Sequence, residues 1–319
     1  MRGKKAIFFT ILSLLFIDVF ILSYQVSLDY TQSKSFDPIR SRIHSIEDFI
    51  DSFEGDANKA LYISGYRAMI TLNNYVTSYG IIPSEINDSL ETVYKELLLY
   101  GRMGGSSSEA GLMHSQTLPD WLSKIEAFAD QLDLNLTGVV FSDINIEHSS
   151  PYHLRTSMTM NYTLIDRRGT CSFNRTRHIS TTIPIDGWVD PLYALRTGGV
   201  LRQIRQTNQT TWNPSSTQEH IAYQMYRNST SAPSFLDRIQ NKTDPTGDYG
   251  IEAFLNLASP EINDPSNHQN RSVIDYIYWN VTYPPTAEIT VITTPAFPWF
   301  RLDEQNVGRY GLDNSTPYS

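Results

Sequence analysis

The chain has 319 residues, enough for one large domain or two modest ones. Its residues are 40% hydrophobic and 12% aromatic, which excludes a disordered chain and is ample for a folded core. The formal net charge of -9 argues against nucleic acid as a partner, because a nucleic-acid-binding protein is expected to carry a basic stripe.

The chain starts with a basic stretch, residues 1–5, and continues into an apolar run over residues 6–24. The run has the length of a short membrane-spanning helix, and no small-x-small cleavage site follows it. Basic residues before the run favour a cytoplasmic N-terminus. We therefore predict a cell-membrane protein with a single transmembrane helix in contact with membrane lipid. Everything after about Tyr24 is expected outside the cell.

Asp18 is the one acidic residue in the apolar run. A charged side chain at the centre of a membrane helix costs about 2.5–3.5 kcal/mol unless it is neutralised or paired. Two interpretations stay open. Asp18 reaches the polar headgroups on the outer side, or it is an intramembrane contact through which the helix associates with other copies or other membrane subunits.

The stretch Arg2-Gly3-Lys4-Lys5-Ala6, followed directly by an apolar helix with one acid, resembles the N-terminus of archaeal type IV pilin-like surface glycoproteins. In that family a dedicated peptidase cuts the class III signal peptide between the basic stretch and the helix. The helix is kept as an anchor or filament core. The resemblance implies a cut after Gly3 or Ala6. Thr10 and Ile11 stand where the family often carries a glutamate, and an uncleaved signal anchor stays as the alternative.

Residues 25–133 are predicted to form a helical region, because apolar side chains recur there at intervals of three and four. Asp37 and Pro38 supply an N-cap and a first-turn proline for a helix that runs to Phe53. Glu54-Gly55 is expected to interrupt it, and a second helix follows over residues 56–79.

A third helix is predicted from Asp88 to Gly101, which provides a C-cap. A Gly/Ser loop separates it from a fourth helix that starts at Pro119. The predicted inner face of the fourth helix comprises Trp121, Ile125, Phe128 and Leu132.

From Leu134 onward the apolar period changes to two, which indicates strands. Three segments follow one another, and a hairpin loop at residues 166–170 joins the last two. The predicted inward residues of the first strand are Leu134, Leu136, Val140, Ile144 and Ile146. Those of the second strand are Leu154, Met158, Met160, Tyr162 and Leu164.

The predicted fold class is therefore α+β: an N-terminal transmembrane helix continues into several amphipathic helices that pack on an antiparallel β-meander. Residues 134–319 form the β-rich extracellular region, whose C-terminal part is irregular and ends with a candidate strand over residues 287–294. We expect this region and the helical region, residues 25–133, to make one domain.

Ten Asn-x-Ser/Thr sequons follow the apolar run and are candidates for N-glycosylation. They are Asn87, Asn135, Asn161, Asn174, Asn208, Asn228, Asn241, Asn270, Asn280 and Asn314. In the three predicted strands, the sequons fall on the polar parity and should face solvent. The only cysteine is Cys171, interpreted as a buried or incidental thiol.

No catalytic constellation is present: the seven histidines include no HExxH, and there is no nucleophile elbow or phosphate loop. We therefore predict that the chain is not an enzyme and has no organic cofactor. Asp244, Asp248 and Glu252 lie four residues apart and are the one candidate cation site, with calcium as its ion. The alternative is a polar turn.

The sequence thus favours a membrane-anchored extracellular glycoprotein with a structural or adhesive role, such as a pilin-like subunit. The alternative is an anchored ligand-binding or sensory ectodomain that acts through a membrane partner.

Overall fold

The computed structural model describes residues 2–79, 89–103, 112–113, 115–262, 271–280, 289–291 and 297–312. Within them, the side chains of residues 2–15, 24, 26–37 and 289–291 lie outside the description.

The N-terminal helix α1 is continuous over Arg2–Tyr79, with Pro38 inside it. The predicted helix start at Asp37 and the predicted interruption at Gly55 are therefore wrong. A proline withdraws one N–H from the helix, and the hydrogen bonds on both sides still hold it together. Glycine costs only about 1 kcal/mol in a helix interior. Phe53 and Ala57, on either side of Gly55, are buried in the same core, and their burial outweighs that cost.

Helix α2 spans Leu90–Tyr100 and ends at Gly101, whose φ of 67° confirms the predicted C-cap. Its N-cap is Ser89, which accepts a hydrogen bond from the amide of Thr92, while the predicted start at Asp88 lies outside the described residues. Helix α3 spans Leu118–Gln131 and begins in a capping box formed by Thr117 and Asp120, so the predicted start at Pro119 is off by one residue.

The predicted antiparallel meander is confirmed, with strands β1, Leu134–Ser150, β2, His153–Asp166, and β3, Ser172–Pro184, in the order β1-β2-β3. All five predicted inward residues of β2 are buried. In β1, Val140 is 54% exposed, contrary to prediction. The pairing shifts register between Thr137 and Val140 and again between Ser142 and Asn145. Between these two irregularities the side chains of β1 exchange faces of the sheet, and Val139 and Phe141 pack against the core in place of Val140.

The C-terminal half of α1 packs across the sheet, and its side chains share one hydrophobic cluster with α2 and with β1, β2 and β3. Gly65 packs tightly against both neighbours, since a Cβ there would lie 2.7 Å from the hydroxyl oxygen of Tyr94 in α2 and 3.2 Å from the side chains of Thr156 and Ile183 in the sheet. That hydroxyl donates to Oγ1 of Thr156 on β2 at 2.8 Å. A shared core of this kind is what the prediction of one domain requires.

The C-terminal region consists of short elements. The helices are α4, Pro191–Arg196, α5, Pro214–Ala222, α6, Phe235–Ile239, α7, Asp275–Trp279, and α8, Glu304–Val307. The strands are β4, Tyr226–Asn228, β5, Ile251–Ala253, β6, Ile289–Val291, and β7, Arg301–Asp303. Strand β6 lies inside the predicted final strand and pairs with β7.

A fully buried ion-pair network joins these short elements. Arg238 of α6 lies 2.7 Å from Oδ2 of Asp190, the N-cap of α4, and 2.8 Å from Oδ2 of Asp275 in α7. The hydroxyl of Tyr226 in β4 donates to Asp190 at 2.8 Å. Paired charges therefore fix a part of the fold that has little regular secondary structure.

Among the described side chains, no helix is both long and apolar enough to cross a membrane. The predicted transmembrane helix, residues 6–24, falls largely on side chains outside the description.

Candidate functional site

The exposed segment, residues 16–23 of α1, is the first functional candidate. Its six large apolar side chains are 52 to 73% exposed: Phe16, Ile17, Val19, Phe20, Ile21 and Leu22. Successive residues of an α-helix point about 100° apart, so these side chains surround the helix on all sides. Nothing in the described part of the chain covers them. A helix that is apolar all round belongs in a membrane or inside an assembly.

Asp18 lies within the exposed segment, between Ile17 and Val19, and is itself exposed. Within the described residues its carboxylate makes no ion pair. It therefore remains available either to headgroups or to another chain, as the two interpretations of the sequence require.

Helix α1 joins the folded body at Arg42. Its guanidinium lies 2.9 Å from Oδ1 of Asp166 and donates to the carbonyl oxygen of Leu132 at 2.8 Å. The hydrogen bond from Arg42 lowers the pKa of Asp166 to about 2, so the carboxylate is ionised at neutral pH. The first described side chain of α1 that is buried is Ile46, one turn further on.

An apolar groove of about 470 Å³ runs between α1 and α3 and is lined by Phe49, Phe53, Ile125 and Phe128 among others. The predicted inner face of the fourth helix is only partly correct, because Phe128 and Leu132 are exposed. The side chains of this helix that are buried are Leu118 and Ala129.

The sequons differ in exposure. Asn174, Asn208 and Asn228 are exposed, and Asn135, Asn161 and Asn241 are half-buried. Asn280 is 8% exposed, and its Nδ2 donates to Oδ1 of Asp244 at 2.9 Å, so it does not lie on the open surface that a sequon was expected to occupy. Asn87, Asn270 and Asn314 lie outside the described residues.

The structure does not bring the three candidate calcium ligands together. Glu252 is fully buried in β5, where it accepts hydrogen bonds from the hydroxyl of Tyr310 at 2.7 Å and from Arg309 at 3.3 Å. Asp244 and Asp248 are exposed. Among the described residues, no group of three or more histidine, cysteine or acidic side chains is placed to hold a metal ion.

The second candidate is the polar cleft, an open cavity of about 630 Å³ near Asp244. The described residues of its walls are 230–231, 243–245, Tyr276, Asn280, 305–306 and Arg309. Sequence analysis did not find it, because these stretches are far apart in the chain. One pattern in the sequence does relate to the cleft. Thr230 and Thr243 are the third residues of the sequons at Asn228 and Asn241, and Asn280 is the first residue of a third sequon.

Hydrogen bonds hold one wall of the polar cleft in place. Nη1 of Arg309 donates to Oδ1 of Asn306 at 2.7 Å, and Nη2 donates to Oγ of Ser229 at 3.0 Å and to Glu252. The amide of Asn306 donates in turn to both oxygens of Asp303. These hydrogen bonds fix the part of the cleft that Asn306 and Arg309 form.

No family model, curated protein or solved structure matches this chain. Its function must therefore be inferred from its own residues and contacts.

Proposed function

We propose that this protein is a membrane-anchored, N-glycosylated subunit of the cell surface with a structural or adhesive role, of the pilin-like kind. In this proposal residues 6–24 of α1 cross the membrane, and the folded body lies outside the cell. The exposed segment contacts lipid or the α1 helices of other copies.

The observation that carries the proposal is the exposed segment, which is continuous with a helix whose C-terminal half packs in the core. Burying one large aliphatic or aromatic side chain is worth about 1.5–3 kcal/mol, so six uncovered side chains on one helix favour removal from water strongly. Lipid or neighbouring helices supply that burial without any change of fold.

The shape of the helix also supports the proposal. Residues 42–79 of α1 contact the folded body, and residues 2–41 extend beyond it for about 60 Å at 1.5 Å per residue. A long helix that packs at one end and projects at the other is what the resemblance to pilin-like proteins implies.

Fractionation of cells that make the full chain tests the anchor. We expect the protein in the membrane fraction after washes with high salt and alkaline carbonate, and its body open to protease on intact cells. Phe20→Asp should shift a large share of the protein to the soluble fraction. The matched control is Leu201→Asp, because Leu201 is 64% exposed on the folded body and should not matter for anchoring. Wild-type protein recovered free of lipid would refute the proposal.

Mass spectrometry of the mature N-terminus separates the two kinds of anchor. A chain that begins at Lys4 or Ile7 supports the pilin-like subunit, and filaments should then appear in material sheared from cells. An intact start supports a plain signal anchor and an individual surface protein.

The polar cleft favours a second candidate function, an anchored ligand-binding or sensory ectodomain. Its volume of about 630 Å³ lies in the range of roughly 300–1,000 Å³ typical of small-molecule sites. Binding of a small ligand with no filaments on sheared cells would favour this candidate over the structural one.

A further inference from the structure

The polar cleft unites parts of three sequons that are well separated in sequence. The side chains of Thr230 and Thr243 line it, and each stands two residues after the asparagine of its sequon. Two residues span at most about 7 Å along an extended chain, so the backbones of Asn228 and Asn241 lie within that distance of residues that line the cleft. Asn280 lies in the wall itself. One potential attachment point for a sugar therefore lines the cavity, and two more are close to it along the chain.

The charges of the cleft favour an uncharged ligand. Of the described lining residues, Arg309 is the cationic one, and its guanidinium is already bound to the buried carboxylate of Glu252. An anion would compete with Glu252 for Arg309 and would share the cleft with the carboxylate of Asp244. Among the described lining residues, a metal cation would find Asp244 as the single acidic side chain.

The hydrogen-bonding groups of the cleft suit a ligand rich in hydroxyls. Within the described part of the chain, the side chains of Thr230, Ser231, Thr243 and Gln305 make no hydrogen bond and can both donate and accept. The ring of Tyr276 adds an apolar surface to the same lining. A sugar has the matching pattern, since its hydroxyls donate and accept around the ring while its C–H groups form apolar faces.

From this geometry we infer that the polar cleft binds a neutral carbohydrate. Two sources supply this chemistry: the chain's own N-glycan attached at Asn280, seated in the cleft, or an oligosaccharide that is not attached to the chain. The first source depends on the extracellular location proposed above, and the second does not.

The unattached source is tested on the full chain in detergent, with Asn280→Gln to keep the cleft empty. Maltotriose, chitotriose and inorganic phosphate are titrated by calorimetry. We expect one of the sugars to bind, and Gln305→Ala and Ser231→Trp to weaken its affinity at least tenfold. Gln203→Ala is the matched control, since Gln203 is an exposed glutamine that lines a different cleft. Thermal unfolding of each variant shows that loss of binding is not loss of the fold.

The attached source is tested on wild-type protein from its own cells by glycopeptide mass spectrometry. We expect a glycan on Asn280, and in the folded protein we expect periodate to oxidise its vicinal diols at least fivefold more slowly than those of a glycan on exposed Asn174 or Asn208. Ser231→Trp, which fills the mouth of the cleft, should remove this protection.

Either positive result supports the inference and identifies the source. The inference is overturned if Asn280 carries no protected glycan and neither sugar binds at millimolar concentration, or if phosphate binds more tightly than both sugars. These outcomes are independent of the anchor, because a membrane-bound protein with no carbohydrate in the cleft would refute this inference alone. A cleft that binds sugar in a lipid-free protein would refute the anchor alone.

Discussion

At the scale of single residues, His220 of α5 occupies an environment that only its neutral form tolerates. It is 1% exposed, and neither ring nitrogen has a hydrogen-bond partner in the described structure. The rings of Trp212, Phe254 and Tyr310 surround it. Burial, reinforced by the charges of Arg202 and Arg227, lowers the pKa of His220 to about 3.

This depressed pKa predicts loss of stability in mild acid. In the unfolded chain histidine titrates near 6.5, so between pH 6.5 and 3 the unfolded state binds a proton that the folded state does not. The free energy of unfolding should therefore fall by about 1.4 kcal/mol per pH unit below 6.5 from this residue. Urea unfolding at pH 7.5 and pH 5 measures it. In His220→Leu that part of the pH dependence should disappear, and an unchanged pH dependence would contradict the assignment.

The buried ion pairs of Arg238 lead to a second prediction at this scale. Removal of the guanidinium leaves Asp190 and Asp275 without their cation in the interior, and breaking a buried pair costs about 3–5 kcal/mol. We expect Arg238→Met to lower the free energy of unfolding by that amount in guanidinium titrations. Arg155→Met, which breaks the exposed pair with Glu147, is the control and should cost under about 1 kcal/mol. Equal effects of the two substitutions would be evidence against the network.

At the scale of elements, the two glycines in the packed half of α1 differ in the space around them. Gly65 faces Tyr94, Thr156 and Ile183, whereas a Cβ at Gly55 in the same helix would meet nothing within 4 Å. A substitution at Gly55 therefore tests helix propensity alone, and one at Gly65 also tests packing against the neighbouring side chains.

Replacing each glycine by alanine should give effects of opposite sign. Gly65→Ala forces a Cβ against the Tyr94 hydroxyl, which is held by its hydrogen bond to Thr156, and should destabilise the protein by about 1–3 kcal/mol. Gly55→Ala improves helix propensity in open space and should stabilise it by about 0.5–1 kcal/mol. Thermal unfolding of the two variants, side by side, provides the measurement. If both substitutions stabilise the protein, Gly65 is not in close contact with Tyr94, Thr156 and Ile183.

The same contrast explains which elements were predictable. Capping and periodicity involve residues within a few positions of one another, and they identified the end of α2 at Gly101 and the inward residues of β2. The orientation of Val140 was not predictable, because it depends on two register shifts between β1 and β2. The apolar pattern in the sequence of β1 does not reveal these shifts. The continuity of α1 through Gly55 likewise depends on a core that residues from all three strands help to form.

At the scale of the whole molecule, the folded body and the exposed segment need different surroundings. The body buries its apolar side chains against itself, while under the proposed function the exposed segment is covered by lipid or other chains. Under the proposed function, Asp18 would distinguish these two kinds of contact, because a carboxylate in a membrane helix is tolerated near headgroups and is stabilising only when another chain pairs with it.

Replacing Asp18 by leucine tests that choice. If Asp18 is a helix contact, Asp18→Leu should leave the protein in the membrane and reduce the yield of cross-linked oligomers several-fold. The control is Phe20→Leu, which keeps the segment apolar and should change neither property. An unchanged cross-linking pattern in Asp18→Leu would favour the headgroup interpretation.

The sequence by itself determined the α+β class, the antiparallel meander and the apolar character of the N-terminal segment. Each of these depends on a pattern of near neighbours: a period of two, a period near four, or a run without charge. The tertiary structure alone decided where Glu252 and Asn280 lie, and it alone assembled the polar cleft from residues 230–309. Contacts between stretches far apart in the chain follow from how the whole core packs, and no local pattern specifies them.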